Sequence, residues 1–493
     1  MKLKALKKRK AGLICFGIQT LLMLVFFVEL MLLNVLEPPM MIGIAAIFVI
    51  IDAYVFLTLF TKKIYKIGMG IAIFMSIVLL AGSFYLYKTN DTLGAVTGKD
   101  TKVEKLSVIV LKSDTADTIK EISGDTFGIL KDIGRENTDE MIANINKECK
   151  SDIATAEYTD ATSQAKALYD GEVKAIIMNE AYRDLVLETY ETFDEDTKVL
   201  FNFEKETKVD INQGEAKDKT DITKEPFSVY ISGIDTFGEI SKTSRSDVNI
   251  IATVNPVTKQ ILLTNTPRDY YVPTTVSNGI EDKLTHAGIY GVDCSVGTLE
   301  KLYGIDIKYY VRVNFTGFVD IVDALGGVTV HSDYTFTSDW GPKFVKGNNK
   351  VNGEQALAFA RERHAFAAGD NQRGKDQQYL LKAIFEKATS PSIIKNFSGL
   401  MDSVKDNVET SIQASKISAL LKMQLDDMAS WNIVLINVTG TGARKTTYSN
   451  QSKKGSVMIP NTDTVDAAKE MMNDVIDDKK VTNDQFKSIL ESK

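Results

Sequence analysis

The sequence predicts an α/β protein in three parts: three N-terminal transmembrane helices over 1–88, a small accessory α/β domain over 105–205, and a larger α/β domain over 225–480. The larger domain is expected to hold a central sheet, mainly antiparallel or mixed. Two observations predict this: three long apolar runs open the chain, and short strand-like runs then alternate with helical spacing in two separate stretches. The length of 493 residues fits two or three cores better than one. A net charge of -7 argues against nucleic acid as a partner, because a polyanion needs a basic surface. Three cysteines, one of them (Cys15) inside an apolar run, make no disulfide framework.

The apolar runs are Leu13–Leu36, Met40–Phe60 and Ile67–Tyr87, each long enough to cross a bilayer as a helix, with no small-residue cleavage pattern after them. The leader Met1–Lys10 and the loop Lys62–Lys66 are basic, whereas Glu37-Pro-Pro39 carries no positive charge. Cytoplasmic loops keep the basic residues, so the N-terminus is expected in the cytoplasm and everything after Lys88 outside the cell membrane. Glu29 and Asp52 lie within the spans, where ionised groups are costly, and stand as functional candidates.

Thr89–Lys105 is polar and turn-rich and reads as a tether. Leu106–Leu111 and Val173–Met178 read as buried strands; Thr115–Leu130, Thr138–Cys149 and Glu180–Tyr190 carry helical spacing. This accessory stretch has no phosphate loop, metal spacing or nucleophile setting, so binding or spacing is its expected role. Phe203–Glu225 is charged and reads as a linker or exposed loop.

The larger domain opens with strands at Phe227–Asp235, Val248–Val254 and Ile261–Thr266. As an antiparallel meander they bring Asp235, Asp247 and Arg268 to one edge. Two carboxylates beside arginines suit a hard divalent ion shared with substrate phosphate, as Mg²⁺ is commonly held. Either acid equally suits a salt bridge to Arg245 or Arg268. In Asp282–Gly291, Lys283 and His286 stand where they can face the site, but no second histidine or cysteine has zinc-ligand spacing, so His286 stays outside the metal set. Tyr309–Asn314 reads as a strand, Thr316 as the cap of a helix over Gly317–Leu325, Gly326-Gly327 as its stop, and Val328–Val330 as a returning strand.

The stretch Gly353–Leu381 places charge where pattern alone would put core. Gly369-Asp370 reads as a helix start, with Leu380, Leu381, Ile384 and Phe385 as its buried stripe; four and seven residues back along that stripe stand Gln377 and Arg373. Arg361 and Arg363, two apart, share a face only on extended backbone. An extended crossing beside the helix start gathers cations into one anion site, guanidinium forks being suited to phosphate oxygens. The plainer reading makes Asp370 an N-cap and the arginines a solvated face. Beyond it, the helix runs to about Ala388, Ile412–Met428 is a second amphipathic helix, Trp431–Val438 a late strand and Asp463–Asp477 a closing helix. Their leucine and isoleucine supply fits a core, and equally the lining of a groove for an isoprenoid tail.

Gly233-Ile-Asp235, Arg245-Ser-Asp247, Thr264–Asp269, Lys283–Ala287, Asn314–Gly327 and Asn352–Arg363, with Asp370, Arg373 and Gln377, occur in the order that resembles the LytR-CpsA-Psr family. The three spans and extra domain resemble its streptococcal capsule-associated branch. That resemblance implies a phosphotransferase moving a glycopolymer from a polyprenyl-pyrophosphate carrier, a membrane lipid, to a peptidoglycan sugar hydroxyl, with capsule-assembly membrane proteins as further partners. It implies Mg²⁺, or Mn²⁺ in its place, on Asp235 and Asp247; pyrophosphate contacts from Arg245, Arg268, Arg361, Arg363, Arg373 and Gln377; and a catalytic set of Asp370, Arg268 and Arg373, with Asp370 orienting groups or assisting deprotonation. Asp376 departs from the pattern, relatives often having a basic or amide side chain there. A non-catalytic membrane sensor and a polyprenyl-pyrophosphate pyrophosphatase are the competing readings.

Overall fold

The computed structural model describes residues 10–34, 36, 38–61, 64–97, 101–208, 219–234, 244–388, 393–427 and 429–492. The basic leader up to residue 9, Lys62 and Lys63 lie outside the described residues. Three helices, α1 (Lys10–Leu33), α2 (Pro38–Thr58) and α3 (Tyr65–Thr97), are each long and apolar enough to cross a membrane. Asp52, for which the sequence offered no partner, receives hydrogen bonds from Thr20 Oγ1 (3.0 Å) and Gln19 Nε2 (3.3 Å) of α1. The expected tether after Lys88 is instead helix and strand. Helix α3 runs on to Thr97 because its polar end is docked: Lys88 pairs with Asp402 (2.6 Å), Asp91 with Lys405 (2.7 Å), and Thr92 Oγ1 donates to Met401 O (3.2 Å).

The accessory sheet has the order β3-β2-β4-β1-β5, from β1 (Thr101–Leu111), β2 (Thr126–Leu130), β3 (Ala154–Tyr158), β4 (Ala175–Asn179) and β5 (Thr197–Lys208). Its pairing thus reaches beyond 105–205 at both ends. Strands alternate side chains between faces, and both faces here are filled. Leu106, Val108, Phe127, Ile129 and Ile177 pack with Met141 and Ile145 of α4 (Arg135–Cys149). Ile109, Leu130, Ile176 and Met178 pack with Ala165 and Leu168 of α5 (Ala161–Tyr169) and Leu185 and Val186 of α6 (Arg183–Leu187), while Phe193 of α7 (Phe193–Asp196) completes that layer. Two expectations fail here. Thr115–Leu130 holds a short 3-10 turn and then strand β2, since Phe127, Ile129 and Leu130 are wanted by the sheet. Phe203–Lys208, read as linker, continues β5 against β1, while 209–218 fall outside the described residues.

The larger sheet has the order β16 (Val408–Thr410), β11 (Tyr309–Asn314), β6 (Phe227–Ile234), β7 (Ser246–Asn255), β8 (Gln260–Asn265), β17 (Asn432–Asn437). Its strands β6, β7 and β8 form the expected antiparallel meander. Around them β11 and β17 pair in parallel, which makes the sheet mixed. Short hairpin strands β9 (Tyr271–Pro273) and β10 (Glu281–Lys283) lead into α8 (Leu284–Ala287) and α9 (Val292–Tyr303). Helix α10 (Phe315–Ala324) starts one residue before the expected cap: Asn314, not Thr316, accepts the Gly317 N–H. Gly326 and Gly327, both at positive φ, end the connection as expected. The strand that follows, β12 (Val328–Ser332), pairs outside the main sheet, with β15 (Gly347–Val351); between them lies the small hairpin β13 (Phe336–Thr337) and β14 (Lys343–Phe344).

Helices α11 (Gly353–Arg361), α12 (Asp370–Ala388), α13 (Ile393–Asn407) and α14 (Ala414–Asp427), the edge strand β16 (Val408–Thr410), the hairpin β18 (Gly440–Thr447) and β19 (Asn450–Pro460), and α15 (Thr462–Ile476) and α16 (Asn483–Glu491) complete the chain. One face of the main sheet, carrying Tyr230, Ile251, Leu262, Val434 and Ile436, buries against Leu299 and Tyr303 of α9 and Met471, Met472 and Val475 of α15. The other face is different.

Candidate active site

The second face of the main sheet presents Val229 and Ile231 from β6, Ile250, Ala252 and Val254 from β7, and Ile261 and Leu263 from β8 to a cavity of about 1020 Å³. Alternation alone explains these positions. Phe318 and Ile321 of α10 and Leu380, Leu381, Ile384 and Phe385 of α12 form the opposite wall. The apolar stripe of α12 therefore lines a void as well as a core.

Charged side chains reach this cavity from the start of β7, from just past β8 and from the start of α12, with Lys382 further along α12. The register of β6 on β7 jumps between Gly233↔Val248 and Ile234↔Ser246, so Asp247 is an extra residue. Such a bulge re-aims a side chain, and here Asp247 and its neighbour Val248 both reach the cavity. Arg268, just past the end of β8, gives its Nη1 to Asp247 Oδ1 at 2.5 Å, and Thr285 Oγ1 approaches the same oxygen at 3.4 Å. The edge predicted from the meander thus brings Asp247 and Arg268 together; Asp235 lies outside the described residues.

The first turn of α12 presses on β8 at Gly374, where a Cβ would collide with the Asn265 side chain. That close approach sets Arg373 and Gln377 into the cavity wall, both buried. Arg373 pairs with Asp370 in the first turn, and Gln377 Nε2 donates to Ala360 O (3.1 Å). Asp370 begins the helix as expected, but its carboxylate answers an arginine rather than capping backbone. Burial raises its carboxyl above the ordinary range, against the opposing pull of Arg373 and with Asp269 and Asp247 adding to the rise.

Arg361 and Arg363 both reach the cavity, though not on the extended segment expected. Arg361 closes helix α11, and Glu362 after it is extended (φ -63°, ψ 132°). Glu362, fully buried, makes the break tolerable: its Oε1 accepts the N–H groups of Arg363, His364 and Ala365 at 2.8–3.0 Å and its Oε2 that of Asp339 at 2.8 Å. Arg361 is held between the rings of Phe315 and Trp340, 4.7 Å from each centroid, a geometry that fixes a guanidinium without neutralising it. Arg245 reaches the same cavity from before β7.

Sequence reasoning missed Glu188 altogether. It follows α6 in the accessory unit and yet lines this cavity, bonded to Arg245 (3.0 Å) and Lys283 (3.3 Å). No local signal marks it, since its partners lie more than fifty residues away. His286 is buried with Nδ1 2.7 Å from Asp282 Oδ1, the structural partner its exclusion from a metal set implied. Among the described residues no cluster of three or more His, Cys, Asp or Glu side chains is arranged to hold a metal. Asp247 nevertheless offers the hard oxygen donors that suit Mg²⁺, an ion usually bound by one or two carboxylates plus water and substrate phosphate.

A family model described as LytR_cpsA_psr family matches residues 185–473. The chain is 35% identical over 234 residues to the polyisoprenyl-teichoic acid–peptidoglycan teichoic acid transferase TagU of Bacillus mycoides, covering 47% of this chain and 76% of that one. It is 38% identical over 192 residues to the protein of that name in Enterococcus faecalis, covering 38% and 62%. Similar solved structures include B. subtilis TagV (27% identity, TM-score 0.43, 52% of this chain and 99% of that one) and TagT bound to LI-WTA (28%, 0.42, 53% and 94%).

Proposed function

The chain belongs to the LytR-CpsA-Psr family, and from that premise we propose that it transfers a glycopolymer from a polyprenyl-pyrophosphate carrier to a peptidoglycan sugar hydroxyl. One observation carries the reading: a largely aliphatic cavity of about 1020 Å³ whose lining also gathers Arg245, Arg268, Arg361, Arg363 and Arg373. This is the complement of a molecule with a long apolar tail and a diphosphate head. The TagU relatives act, by name, on a polyisoprenyl-linked teichoic acid. The family model begins at residue 185, leaving the three apolar helices and most of the accessory sheet outside it; this extra architecture is our ground for proposing capsular polysaccharide as the polymer. The apolar helices anchor the chain in the cell membrane, with the catalytic unit outside and α3 holding it through Lys88–Asp402 and Asp91–Lys405.

In the proposed reaction the acceptor hydroxyl attacks the phosphorus next to the sugar. The new O–P bond forms as the P–O–P bond breaks, and polyprenyl phosphate leaves. Little covalent work falls to the protein in such a transfer; rate comes from alignment and from neutralising phosphate oxygens. Arg268 and Arg373 are the catalytic cations, held by Asp247 and Asp370. Arg245, Arg361, Arg363 and Gln377 bind the diphosphate, and Trp340 and Phe315 keep Arg361 charged and aimed. Asp370 orients Arg373 and, its carboxyl raised by burial, takes the hydroxyl proton. Mg²⁺, or Mn²⁺, on Asp247 and Asp235 would neutralise developing phosphate charge when bound.

The test uses the full chain in phospholipid vesicles with a polyprenyl-pyrophosphate-linked saccharide and peptidoglycan. The expected result is release of polyprenyl phosphate with phosphate-linked saccharide on the wall, abolished by chelation of divalent ions and in Asp247→Ala. Release without wall-linked saccharide makes the chain a pyrophosphatase. No release at all leaves a membrane sensor.

A further inference from the structure

Glu188 belongs to the accessory unit, yet it sits among the cations of the cavity. Its two oxygens divide between two partners: Oε1 accepts from Arg245 Nη1 at 3.0 Å and Oε2 from Lys283 Nζ at 3.3 Å. Asp184, one turn earlier, lies 3.5 Å from Arg245 Nη2. His286 Nε2, buried and without a hydrogen-bond partner among the described residues, faces the same carboxylate at 4.0 Å. Burial works to raise the Glu188 carboxyl, but Lys283, His286 and Arg245 outweigh it and hold it below the usual range.

The carboxylate is delivered by a packed connection. Helix α6 packs through Leu185 and Val186 into an apolar layer that also contains Ile289 from the catalytic unit. Tyr182 meets Tyr290 at 6.0 Å between ring centroids, and Asn450 Nδ2 donates to Thr189 Oγ1 at 3.0 Å. Two roles are open to an acid so placed: it can compete with a substrate anion for the cations, or hold them for it. Charge decides between them. Arg268, Arg361, Arg363 and Arg373 line the same cavity beyond the two cations that Glu188 engages, so positive charge remains for an anion with Glu188 in place. Long cationic side chains also lose entropy when fixed, and a partner that fixes them beforehand lowers the cost at binding.

We propose that Glu188 is a positioning residue of the diphosphate site, through which the accessory unit holds Arg245 and Lys283 against the cavity wall and makes Lys283 a further phosphate contact. This rests on the diphosphate reading of the cavity.

The test measures binding of polyprenyl diphosphate to the full chain in vesicles, alongside turnover. A charge-assisted hydrogen bond is worth about 1.5–3 kcal/mol, so Glu188→Gln is expected to weaken binding by roughly 10- to 100-fold, with kcat at saturation changed about threefold or less. Glu188→Asp, with a shorter reach, falls between, and keeps the test alive if the glutamine variant does not fold. In a background carrying Arg245→Ala and Lys283→Ala, Glu188→Gln is expected to change affinity less than about twofold, since additivity fails for groups acting as one unit. Unchanged or tighter binding in Glu188→Gln overturns the proposal, tighter binding marking a competitor. An equal loss in the background lacking both cations also overturns it, as a purely structural effect. If the wild-type chain binds the lipid and Glu188→Gln weakens that, but no wall-linked product forms, the transferase reading falls and the role of Glu188 stands.

Discussion

The two sheets of this chain are built from similar strands and put to different use. In the accessory sheet both faces are filled, by Met141 and Ile145 on one side and Ala165, Leu168 and Val186 on the other. In the main sheet one face is filled by α9 and α15, while the other, packed in part by Leu381, Phe385, Ile417 and Leu420, also fronts a cavity. Valine, isoleucine and leucine alternate equally well in both. The difference is what approaches: α12 meets the sheet closely at Gly374 and packs Leu381 and Phe385 on the strand side chains, yet closes that face only in part. An apolar strand face is therefore evidence of water exclusion, and only the opposing element says whether protein or ligand excludes it.

The sharpest break of that comparison lies in the charged lining of the cavity, which the accessory sheet lacks. Arg268→Ala removes the proposed donor to the transferring phosphate and the partner of Asp247; turnover of the full chain in vesicles is expected to fall roughly 10²- to 10³-fold. A matched pair of bulky substitutions comes next. Ala175 is fully buried in the accessory core, so Ala175→Phe is expected to cost about 1–3 kcal/mol by overpacking, read as a lower melting temperature. Ala252 faces the cavity, so Ala252→Phe is expected to leave melting within about 1 kcal/mol and to weaken polyprenyl diphosphate binding roughly tenfold by filling tail space. Equal destabilisation at both sites would mean that the main sheet is packed like the accessory one.

Buried ionisable groups give a third distinction. Burial raises the Asp376 carboxyl to about 8, against an unfolded value of roughly 4. Between those values the folded chain keeps a proton that the unfolded chain releases, so this group's stabilisation is complete at low pH and is lost as pH rises through about 8. Asp376→Asn is expected to flatten the fall in melting temperature between roughly pH 5 and 8. The smallest effect belongs to the join with the membrane helix. Lys405→Ala breaks a half-exposed pair with Asp91 and is expected to cost less than about 1 kcal/mol and to change turnover about twofold or less.

Much of the fold was legible because its signals are local. The three apolar helices, the meander, the Gly326-Gly327 stop and the start of α12 at Asp370 follow from residue patterns within a few turns or strands. Thr115–Leu130 misled because its spacing fits a helix, while Phe127 and Ile129 had a sheet to fill. Phe203–Lys208 misled because a charged edge strand looks like a linker until its partner β1 is known. Thr89–Thr97 misled because its polar residues have partners three hundred residues away.

By itself the sequence determined the α/β character, the apolar helices and the identity of the arginines and acids, since alternation, hydropathy and chain order are properties of neighbouring residues. Only the tertiary structure decided that Asp247 turns toward Arg268 through a bulge, that Arg361 is clasped between Phe315 and Trp340, and that Glu188 crosses from the accessory unit to Arg245 and Lys283. Those contacts join positions remote along the chain, and their geometry is fixed by packing, which no local pattern encodes.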